Sequence, residues 1–411
     1  MKFSSINKSK IFNWSILLFS LFPILPNKIK GLPVILLLIT SLFFFKRKNI
    51  MWWRFFLNSS LYFLFLFSFF ITENIGLEAK FRLETTLSIL VIPVIFYILI
   101  PSVKFQKKLL NNFIRVFIFS SIVFMLIVFL YIILDRDTIY YSSWFANKAR
   151  TLIVEVPYIG QHPIYASIFS SISLIFIIKL FRDNKNKSLL KGILTTLGIL
   201  SQSLFLILII SKAVVISLLV SLVFYFFTLI KSKRQKFFII AIFLILLSSL
   251  LIFNRRMNEL IRIETYSQVN LNYSNSLRLQ IYKCGLQLIK NNYVFGYGIG
   301  NTQYKLNECY SESNQYKMIN IYNSHNQYID IVLKTGIIGL IVFLAFLSEN
   351  IYYAKRTNNR LLLTIILFYC INFFTENILL RQSGVIMFVF LLAFLNKFNF
   401  KEASNKLIEE V

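Results

Sequence analysis

Long apolar runs recur along the whole chain, and no other feature constrains its fold as strongly. Each run is roughly 16–22 residues long, about the length of α-helix that crosses the hydrocarbon core of a bilayer. Residues 192–230 form a run too long for one span, so they predict two helices joined by a tight turn near Ser211 and Lys212. The pattern predicts an all-α polytopic integral membrane protein with about 12 transmembrane helices.

The predicted spans divide the chain into four regions. Residues 1–253 carry the first nine spans, and residues 254–333 form one large external loop with short amphipathic helices. Residues 334–396 carry the last three spans, and residues 397–411 form a cytoplasmic tail. The predicted spans lie near residues 11–26, 31–45, 55–72, 85–101, 111–134, 163–181, 192–210, 213–230, 237–253, 334–348, 361–376 and 383–396.

Composition and charge support this interpretation. Of the residues, 57% are hydrophobic and 15% are charged, whereas about 25% charged is usual in a soluble domain. The 44 Lys and Arg against 17 Asp and Glu give a net charge of +27. When the N-terminus is placed inside, every internal loop is basic, so the positive-inside rule predicts that both termini are cytoplasmic. The basic excess therefore indicates membrane orientation, and no nucleic-acid-binding motif accompanies it.

The predicted external loop contains an amphipathic helix with a polar side. Asn275 and Ser276 predict its N-terminal cap. Apolar residues follow at helical spacing: Leu277, Ile281, Leu288 and Ile289. Arg278 and Tyr282 lie four residues apart, so their side chains are neighbours on the polar side. The loop is also rich in tyrosine, which suits stacking on sugars but is more often typical of the membrane interface.

A glycine-rich segment, residues 296–301, ends this helix. It resembles a phosphate-binding loop only superficially, because no strand precedes it and no Walker lysine follows. We therefore predict a sharp, close-packed turn.

Cys284 and Cys309 lie in the same loop. The sequence allows either a disulfide between them or two unpaired thiols. Two unpaired thiols are favoured, because connectivity cannot be read from sequence.

The two histidines of the chain both fall at the external mouths of predicted spans. His325 leads into the span that carries Gly336 and Gly339, and we expect it in the first turn of a helix. A helix N-terminus disfavours imidazolium, so a neutral His325 would be able to accept a proton. A structural hydrogen-bonding role is the equal alternative. For His162, which precedes Pro163, capping of the sixth span is favoured over a direct role.

Further polar residues are predicted at the same level of the membrane. Lys212 lies at the turn between the seventh and eighth spans, and Glu376 and Arg381 flank the turn between the last two. Together Lys212, Arg278 and Arg381 predict a cationic pocket suited to a diphosphate. The alternatives are that Lys212 snorkels to the interface and that Glu376 pairs with Arg381.

The order of these motifs resembles the O-antigen ligase and O-antigen polymerase superfamily of bacterial envelope glycosyltransferases. The resemblance covers roughly residues 160–345. The features that carry it are Ser211-Lys212, Arg278 with Tyr282, the glycine turn, His325-Asn326 with Tyr328, and, for one branch of the family, His162-Pro163-Ile164-Tyr165. Two positions depart from the family, which commonly has Arg in place of Lys212 and Trp in place of Tyr282. Lysine keeps the charge but loses the two-pronged phosphate contact of arginine.

The resemblance implies an enzyme of the bacterial inner membrane. It would transfer a glycan from an undecaprenyl diphosphate carrier to an acceptor hydroxyl, on lipid A-core or a similar molecule, at the external face. The resemblance and the residues together make His325 the candidate general base, with Lys212, Arg278 and Arg381 as diphosphate ligands. The accessory candidates are His162, Tyr282, Asn326, Tyr328 and Glu376. Since no carboxylate cluster has metal-ligand spacing, we expect neither a metal nor another cofactor.

Three alternatives remain at this stage. A polysaccharide polymerase and a transferase with a protein acceptor would share all these motifs and differ in the acceptor. A polytopic transporter or flippase would have a similar number of spans, but broken helices and charges near the midplane would then be expected. The partners expected of the enzyme are a lipid-linked glycan donor, a lipid or glycan acceptor and membrane lipids, without nucleic acid.

Overall fold

The computed structural model describes residues 5–72, 76–134, 145–183, 188–267, 274–312 and 322–400, and regular structure within these ranges is entirely helical. The prediction of an all-α fold is therefore confirmed. Most of the predicted tail, residues 401–411, lies outside the described residues, as do residues 268–273 and 313–321 of the predicted external loop.

The described α-helices are numbered in chain order. They are α1 Ser5–Leu18, α2 Leu32–Leu42, α3 Trp52–Ile71, α4 Leu77–Thr86, α5 Ser88–Pro93, α6 Lys107–Leu134, α7 Phe145–Glu155, α8 Pro163–Asp183, α9 Leu189–Ile209, α10 Lys212–Leu229, α11 Lys233–Phe253, α12 Arg255–Asn258, α13 Glu264–Ser267, α14 Ser274–Asn291, α15 Gly298–Glu312, α16 Gln327–Arg356, α17 Arg360–Phe373 and α18 Gln382–Leu395. A wider helical segment, Val94–Leu99, continues α5, and Ile378–Leu380 is a short 3₁₀ turn.

Eight helical segments of the described residues are long and apolar enough to cross a membrane. They are α3, the continuous segment Leu77–Leu99, α6, α8, α9, α10, α11 and α16. The four other predicted spans coincide with shorter helices, α1, α2, α17 and α18, of 14, 11, 14 and 14 residues. The chain is thus a multi-pass membrane protein, and the count of twelve spans remains a prediction.

Two compact units make up the chain. The first comprises Met1–Ile50, Ile98–Leu222 and Lys397–Val411. Its central helix is α8, which packs against α6 and α9 and is buried along nearly its whole length. Buried serines on α8, including Ser167 and Ser171, have the small side chains that allow helices in a membrane to pack closely.

The second unit comprises Met51–Tyr97 and Val223–Asn396. Within it, α16 packs against α3 and α17, while α5 packs against α3 and α18. An ion pair of 2.7 Å between Arg54 and Glu349 joins α3 to α16, and the Arg54 guanidinium lies 3.9 Å from the centre of the Tyr353 ring. Arg54, near the start of the candidate membrane-crossing helix α3, therefore has both a carboxylate and an aromatic partner, as cations in such helices usually require.

A kink at Gly336 divides α16, and the glycine turn that follows α14 packs against this kink. Gly336 has φ of +69°, and Gly296 in the turn has φ of +70°. A Cβ on Gly336 would lie 1.8 Å from the Val294 carbonyl oxygen, so the two backbones meet where no side chain fits. Tyr297 N–H donates to the Leu333 carbonyl at 2.7 Å. The predicted close-packed turn is confirmed, and its partner is the broken helix.

Helices α14 and α15 pack together against the first turns of α16. Their shared core includes Ile281, Leu288, Leu306 and Tyr310, so the amphipathic pattern predicted for α14 is confirmed. The helix begins at Ser274, and the predicted cap residues Asn275 and Ser276 therefore lie inside its first turn. Boundaries of this kind are the least certain part of a sequence-based prediction.

A disulfide bond between Cys284 and Cys309 links α14 to α15, with the two Cα atoms 5.9 Å apart. The preference for two unpaired thiols is therefore wrong. Packing of the two amphipathic helices brings together cysteines that are 25 residues apart in the sequence, and the sequence alone carries no signal of that contact.

Candidate functional site

Three predicted site residues from three different elements meet in the second unit. Arg278 on α14 donates from Nη2 to Oε1 of Glu376, and the other carboxylate oxygen of Glu376 lies 3.3 Å from His325 Nδ1. Glu376 is buried, whereas Arg278 and His325 keep 25% and 21% of their side-chain surface exposed. The carboxylate thus binds a cation on one side and an imidazole on the other, and both of these partners reach solvent.

Tyr282 fixes the backbone on both sides of this cluster. Its hydroxyl lies 3.1 Å from the carbonyl oxygens of both His325 and Phe374. Burial raises the pKa of Tyr282, so the phenol remains protonated and able to donate. Because Phe374 precedes Glu376 by two residues, one side chain of α14 holds both the histidine segment and the carboxylate segment.

His325 lies before α16 and not in its first turn. Its φ is +44°, and Asn326 caps the helix by accepting from the N–H groups of Tyr328 and Ile329 at 2.9 and 3.1 Å. Asn323 Oδ1 accepts from His325 N–H at 2.9 Å and so supports the turn. The predicted position is therefore wrong by two residues. The feature that orients the ring is Glu376, since the helix N-terminus is occupied by Asn326.

The side chains of Asn326 and Tyr328 form hydrogen bonds with backbone carbonyls and are not directed into an open site. Asn326 Nδ2 donates to the Phe374 carbonyl at 3.0 Å, and the Tyr328 hydroxyl donates to the Cys370 carbonyl at 3.1 Å. The Tyr328 ring also packs against Phe374, with centroids 4.7 Å apart. Both residues therefore connect the start of α16 to the segment that carries Glu376, and these contacts hold the two segments in position.

A buried polar network below His325 was not anticipated from the sequence. Asp330 binds Lys334 at 2.5 Å and accepts from Asn377 Nδ2 at 3.2 Å. Asn377 also donates to Ser324 Oγ at 2.9 Å. The residues adjacent to His325 and Glu376, Ser324 and Asn377, are thus bonded to each other. Asp330 and Lys334 show helical i,i+4 spacing in the sequence, which is the signal that could have identified the pair.

Arg381 does not form the salt bridge with Glu376 that was the alternative to a role in the cationic pocket. Glu376 binds Arg278 and His325, so the proposed Glu376–Arg381 salt bridge is wrong. Arg381 instead lines a cavity of about 620 Å³ together with Arg82, Gln303 and Asn323. Asn323 is also the residue that accepts from the His325 N–H, so this cavity borders the histidine turn.

A second guanidinium accompanies Arg278. Arg256, on the short helix α12, has a buried Nη1 atom with no hydrogen-bond partner among the described residues. Burial lowers the pKa of Arg256; the carboxylate of Glu259 opposes this shift, and the nearby charge of Arg278 adds to it. Two neighbouring cations, one with an unsatisfied donor, form an arrangement suited to an anion.

The first unit contains the other two predicted residues, Lys212 and His162. Lys212 is the first residue of α10 and is buried. Before it, Ile210 has φ of +20°, and Arg150 donates to the carbonyls of Ile209 and Ile210 at 2.5 and 2.9 Å. The predicted turn between the two helices is therefore present, and Arg150, which the sequence did not single out, stabilises it.

His162 lies immediately before α8 and contacts the first turn of that helix. Its carbonyl accepts from the N–H groups of Tyr165 and Ala166, and its Nδ1 lies 3.4 Å from the Ile164 N–H. These contacts agree with the capping role that was favoured for His162.

The second unit thus groups Arg278, Glu376, His325 and Tyr282 in an all-helical, multi-pass membrane protein. Among the described residues, no group of three or more His, Cys, Asp and Glu side chains has an arrangement that would hold a metal ion. A cluster of one imidazole, one buried carboxylate and cations is the kind of site that transfers a proton and binds an anion.

Residues 197–344 match the family model described as O-Antigen ligase. This match supports the resemblance to the O-antigen ligase superfamily that the motifs indicate. The matched range includes Lys212, Arg278 and His325, whereas Glu376 and Arg381 lie beyond it. No curated protein matches the chain. The family implies a glycosyltransferase-like membrane enzyme whose partners are a lipid-linked glycan and an acceptor.

Proposed function

We propose that the protein transfers a glycan from an undecaprenyl diphosphate carrier to an acceptor hydroxyl, on lipid A-core or a similar molecule. The observation that carries the proposal is the contact chain from Arg278 through Glu376 to His325. It combines a group that binds phosphate with a group that accepts a proton, and this is the pair that glycan transfer from a lipid diphosphate requires.

The acid–base part of the reaction follows from the His325–Glu376 contact. With Nδ1–H donating a hydrogen bond to the carboxylate, the lone pair on Nε2 is directed away from Glu376 and is available to a substrate. Nε2 then takes the proton of the acceptor hydroxyl as its oxygen attacks the anomeric carbon. The bond from that carbon to the phosphate oxygen breaks, and its electron pair leaves with undecaprenyl diphosphate.

The leaving diphosphate needs positive charge, and the proposed ligands in the second unit are Arg278 and Arg381. The partly exposed guanidinium of Arg278 is held by Glu376 through one nitrogen, so its other N–H groups remain available to phosphate. Arg256 is added to this set because of its unsatisfied Nη1. Cations placed where charge develops are sufficient to stabilise such a leaving group, and we propose a reaction without a metal or another cofactor.

The site is proposed to lie outside the cytoplasm, in residues 254–333, with both termini in the cytoplasm of a bacterial inner membrane. The disulfide between Cys284 and Cys309 supports this placement, because disulfides form and persist in oxidising compartments outside the cytoplasm. The basic residues on the opposite side, such as Lys233 and Arg234 at the start of α11, agree with a cytoplasmic location.

Deletion of the gene and analysis of surface glycans and carrier-linked intermediates test the proposal. Loss of surface polymer with long chains accumulating on the carrier lipid is the result expected of a ligase. Accumulation of single repeat units would instead identify a polymerase, and loss of glycan from a protein would identify a protein acceptor. Unchanged glycans on both the surface and the carrier would contradict every transferase version.

A further inference from the structure

The cavity that borders the histidine turn has the lining of a carbohydrate site. Its wall includes Phe81, Arg82 and Glu84 of α4, Gln303 of α15, Asn323 and Arg381. Its volume of about 620 Å³ falls within the range of roughly 300–1,000 Å³ that is typical of small-molecule sites. This space accommodates a short oligosaccharide rather than a phosphate group alone.

The polar groups of the wall offer both kinds of hydrogen bond that sugars use. Guanidinium groups only donate, the carboxylate of Glu84 only accepts, and the amides of Gln303 and Asn323 do both. Each hydroxyl of a sugar is itself a donor and an acceptor. A diphosphate alone has no donor for the carboxylate of Glu84. The mixed wall therefore fits a neutral, hydroxyl-rich ligand better than an anion.

Phe81 supplies an apolar surface in this polar setting, with 61% of its area exposed. A lipid-facing position would explain an exposed phenylalanine, but the neighbours Lys80 and Glu84 are exposed as well. Charged side chains on the same part of α4 are costly in hydrocarbon. The Phe81 ring therefore lies at a polar level, where an aromatic face suits the C–H face of a sugar.

We propose that this cavity binds sugar units of the glycan substrate next to the reacting centre. The link to the centre is Asn323, which lines the cavity and also accepts from the His325 N–H at 2.9 Å. Arg381 lies in the same cavity, so a sugar attached to a diphosphate and a sugar that carries an acceptor hydroxyl both fit the chemistry. The inference rests on the proposed transferase function and assigns a substrate subsite to it.

One part of the cavity wall lies inside the family-matched range of the sequence, and the other part lies outside it. Gln303 and Asn323 lie within the range that matches the O-antigen ligase family, whereas Phe81, Glu84 and Arg381 lie outside it. Helix α4 therefore adds a wall to the site that the matched range does not contain. Selection among glycans is accordingly assigned to Phe81 and Glu84, and the chemical step to His325.

Binding of free oligosaccharide tests this subsite without turnover. The probe is the oligosaccharide mixture released by mild acid from the carrier lipid of the producing cells, titrated into the full-length His325→Ala protein in nanodiscs. Adding Phe81→Ala or Glu84→Ala should weaken binding by about three- to tenfold, the effect of losing one net contact. The matched controls, Phe295→Ala and Glu312→Ala, remove exposed residues of the same types outside this cavity and should bind normally.

Kinetics with native His325 identify which substrate supplies the sugar. A raised KM for the carrier-linked donor assigns the cavity to the donor glycan, and a raised KM for the acceptor assigns it to the acceptor. Unchanged binding and unchanged KM values in both variants overturn the subsite while leaving the transferase function intact. If the wild-type protein transfers no glycan but the two variants still lose oligosaccharide binding, the proposed function fails and the subsite stands.

Discussion

His325 and Glu376 are 51 residues apart in the sequence and meet in the second unit, with Nδ1 of the imidazole 3.3 Å from Oε2 of the carboxylate. The carboxylate comes from the turn between α17 and α18, and the imidazole from the turn before α16. Further hydrogen bonds connect the two turns: the Tyr282 hydroxyl shares its proton between a backbone carbonyl of each segment, and Asn377 donates to Ser324. The packing of these two turns therefore holds His325 and Glu376 in contact.

His325→Ala should nearly abolish glycan transfer, because loss of one general base typically costs roughly 10²–10⁴-fold in rate. His325→Gln keeps a hydrogen-bonding side chain but cannot take a proton, so it should be nearly as impaired. The measurement is turnover by purified protein with carrier-linked donor, alongside the amount of protein in the membrane. Near-normal turnover by His325→Gln would leave His325 as a residue that orients the acceptor and would remove the base role.

Arg278→Ala should reduce transfer more than Arg278→Lys, since lysine keeps the charge but not the two-pronged contact with phosphate. The donor KM should rise, because the donor carries the diphosphate. Glu376 would also lose a partner in Arg278→Ala, so protein amount and thermal stability are measured in the same preparations. Equal activity of the two variants at normal protein level would mean that fork geometry is not used; full activity of both would remove Arg278 from the site.

Lys212→Arg should retain transfer activity, because arginine is the residue that the superfamily commonly carries at this hairpin position. Lys212→Ala should lose activity, because a buried cation at the turn between α9 and α10 is removed. Ser232→Ala, which changes an exposed residue before α11, serves as a control for mutation of a polar residue between two helices. Wild-type turnover by Lys212→Ala would leave interfacial snorkelling as the explanation for this lysine.

The sequence predicted much of the helical frame because long apolar runs have only one stable form in a bilayer. Residue type, spacing and the family resemblance also singled out Arg278, Tyr282 and His325 as candidates, and the structure brings them together. The partners of these residues were harder to predict, because contacts between distant turns depend on packing. For Glu376 the sequence offered only an accessory role or, as the alternative, a pairing with its sequence neighbour Arg381, whereas it binds Arg278 and His325.

Two further features could not be deduced for the same reason. Gly336 lies in an apolar run that predicts an ordinary span, and only the approach of Val294 explains the positive φ that breaks the helix. Phe81 and Arg82 lie just before the predicted span 85–101 and were not singled out, yet they line a cavity with Gln303 and Arg381. In both cases the deciding information is the identity of the neighbour in space.

Topology is tested with a thiol reagent that does not cross membranes, in a Cys370→Ser background that leaves only the disulfide-bonded cysteines. A cysteine at Ser311, exposed at the end of α15, should react in intact cells if residues 254–333 are external. A cysteine at Ser232, exposed before α11, should react only after the membrane is opened. The reverse pattern would place the candidate site in the cytoplasm and contradict transfer at the external face.

Removal of the disulfide by Cys284→Ser with Cys309→Ser should loosen the packing of α14 on α15. Closing a loop between cysteines 25 residues apart contributes about 3.5 kcal/mol in the chain-entropy description. Because α14 carries both Arg278 and Tyr282, the variant should lose glycan transfer at a lower temperature than the wild type and be cleaved faster by protease within residues 254–333. Cys370→Ser is the matched control, since Cys370 is a free thiol and Tyr328 binds its carbonyl oxygen. Identical thermal inactivation of the double variant and this control would show that the packing of α14 on α15 does not depend on the bond.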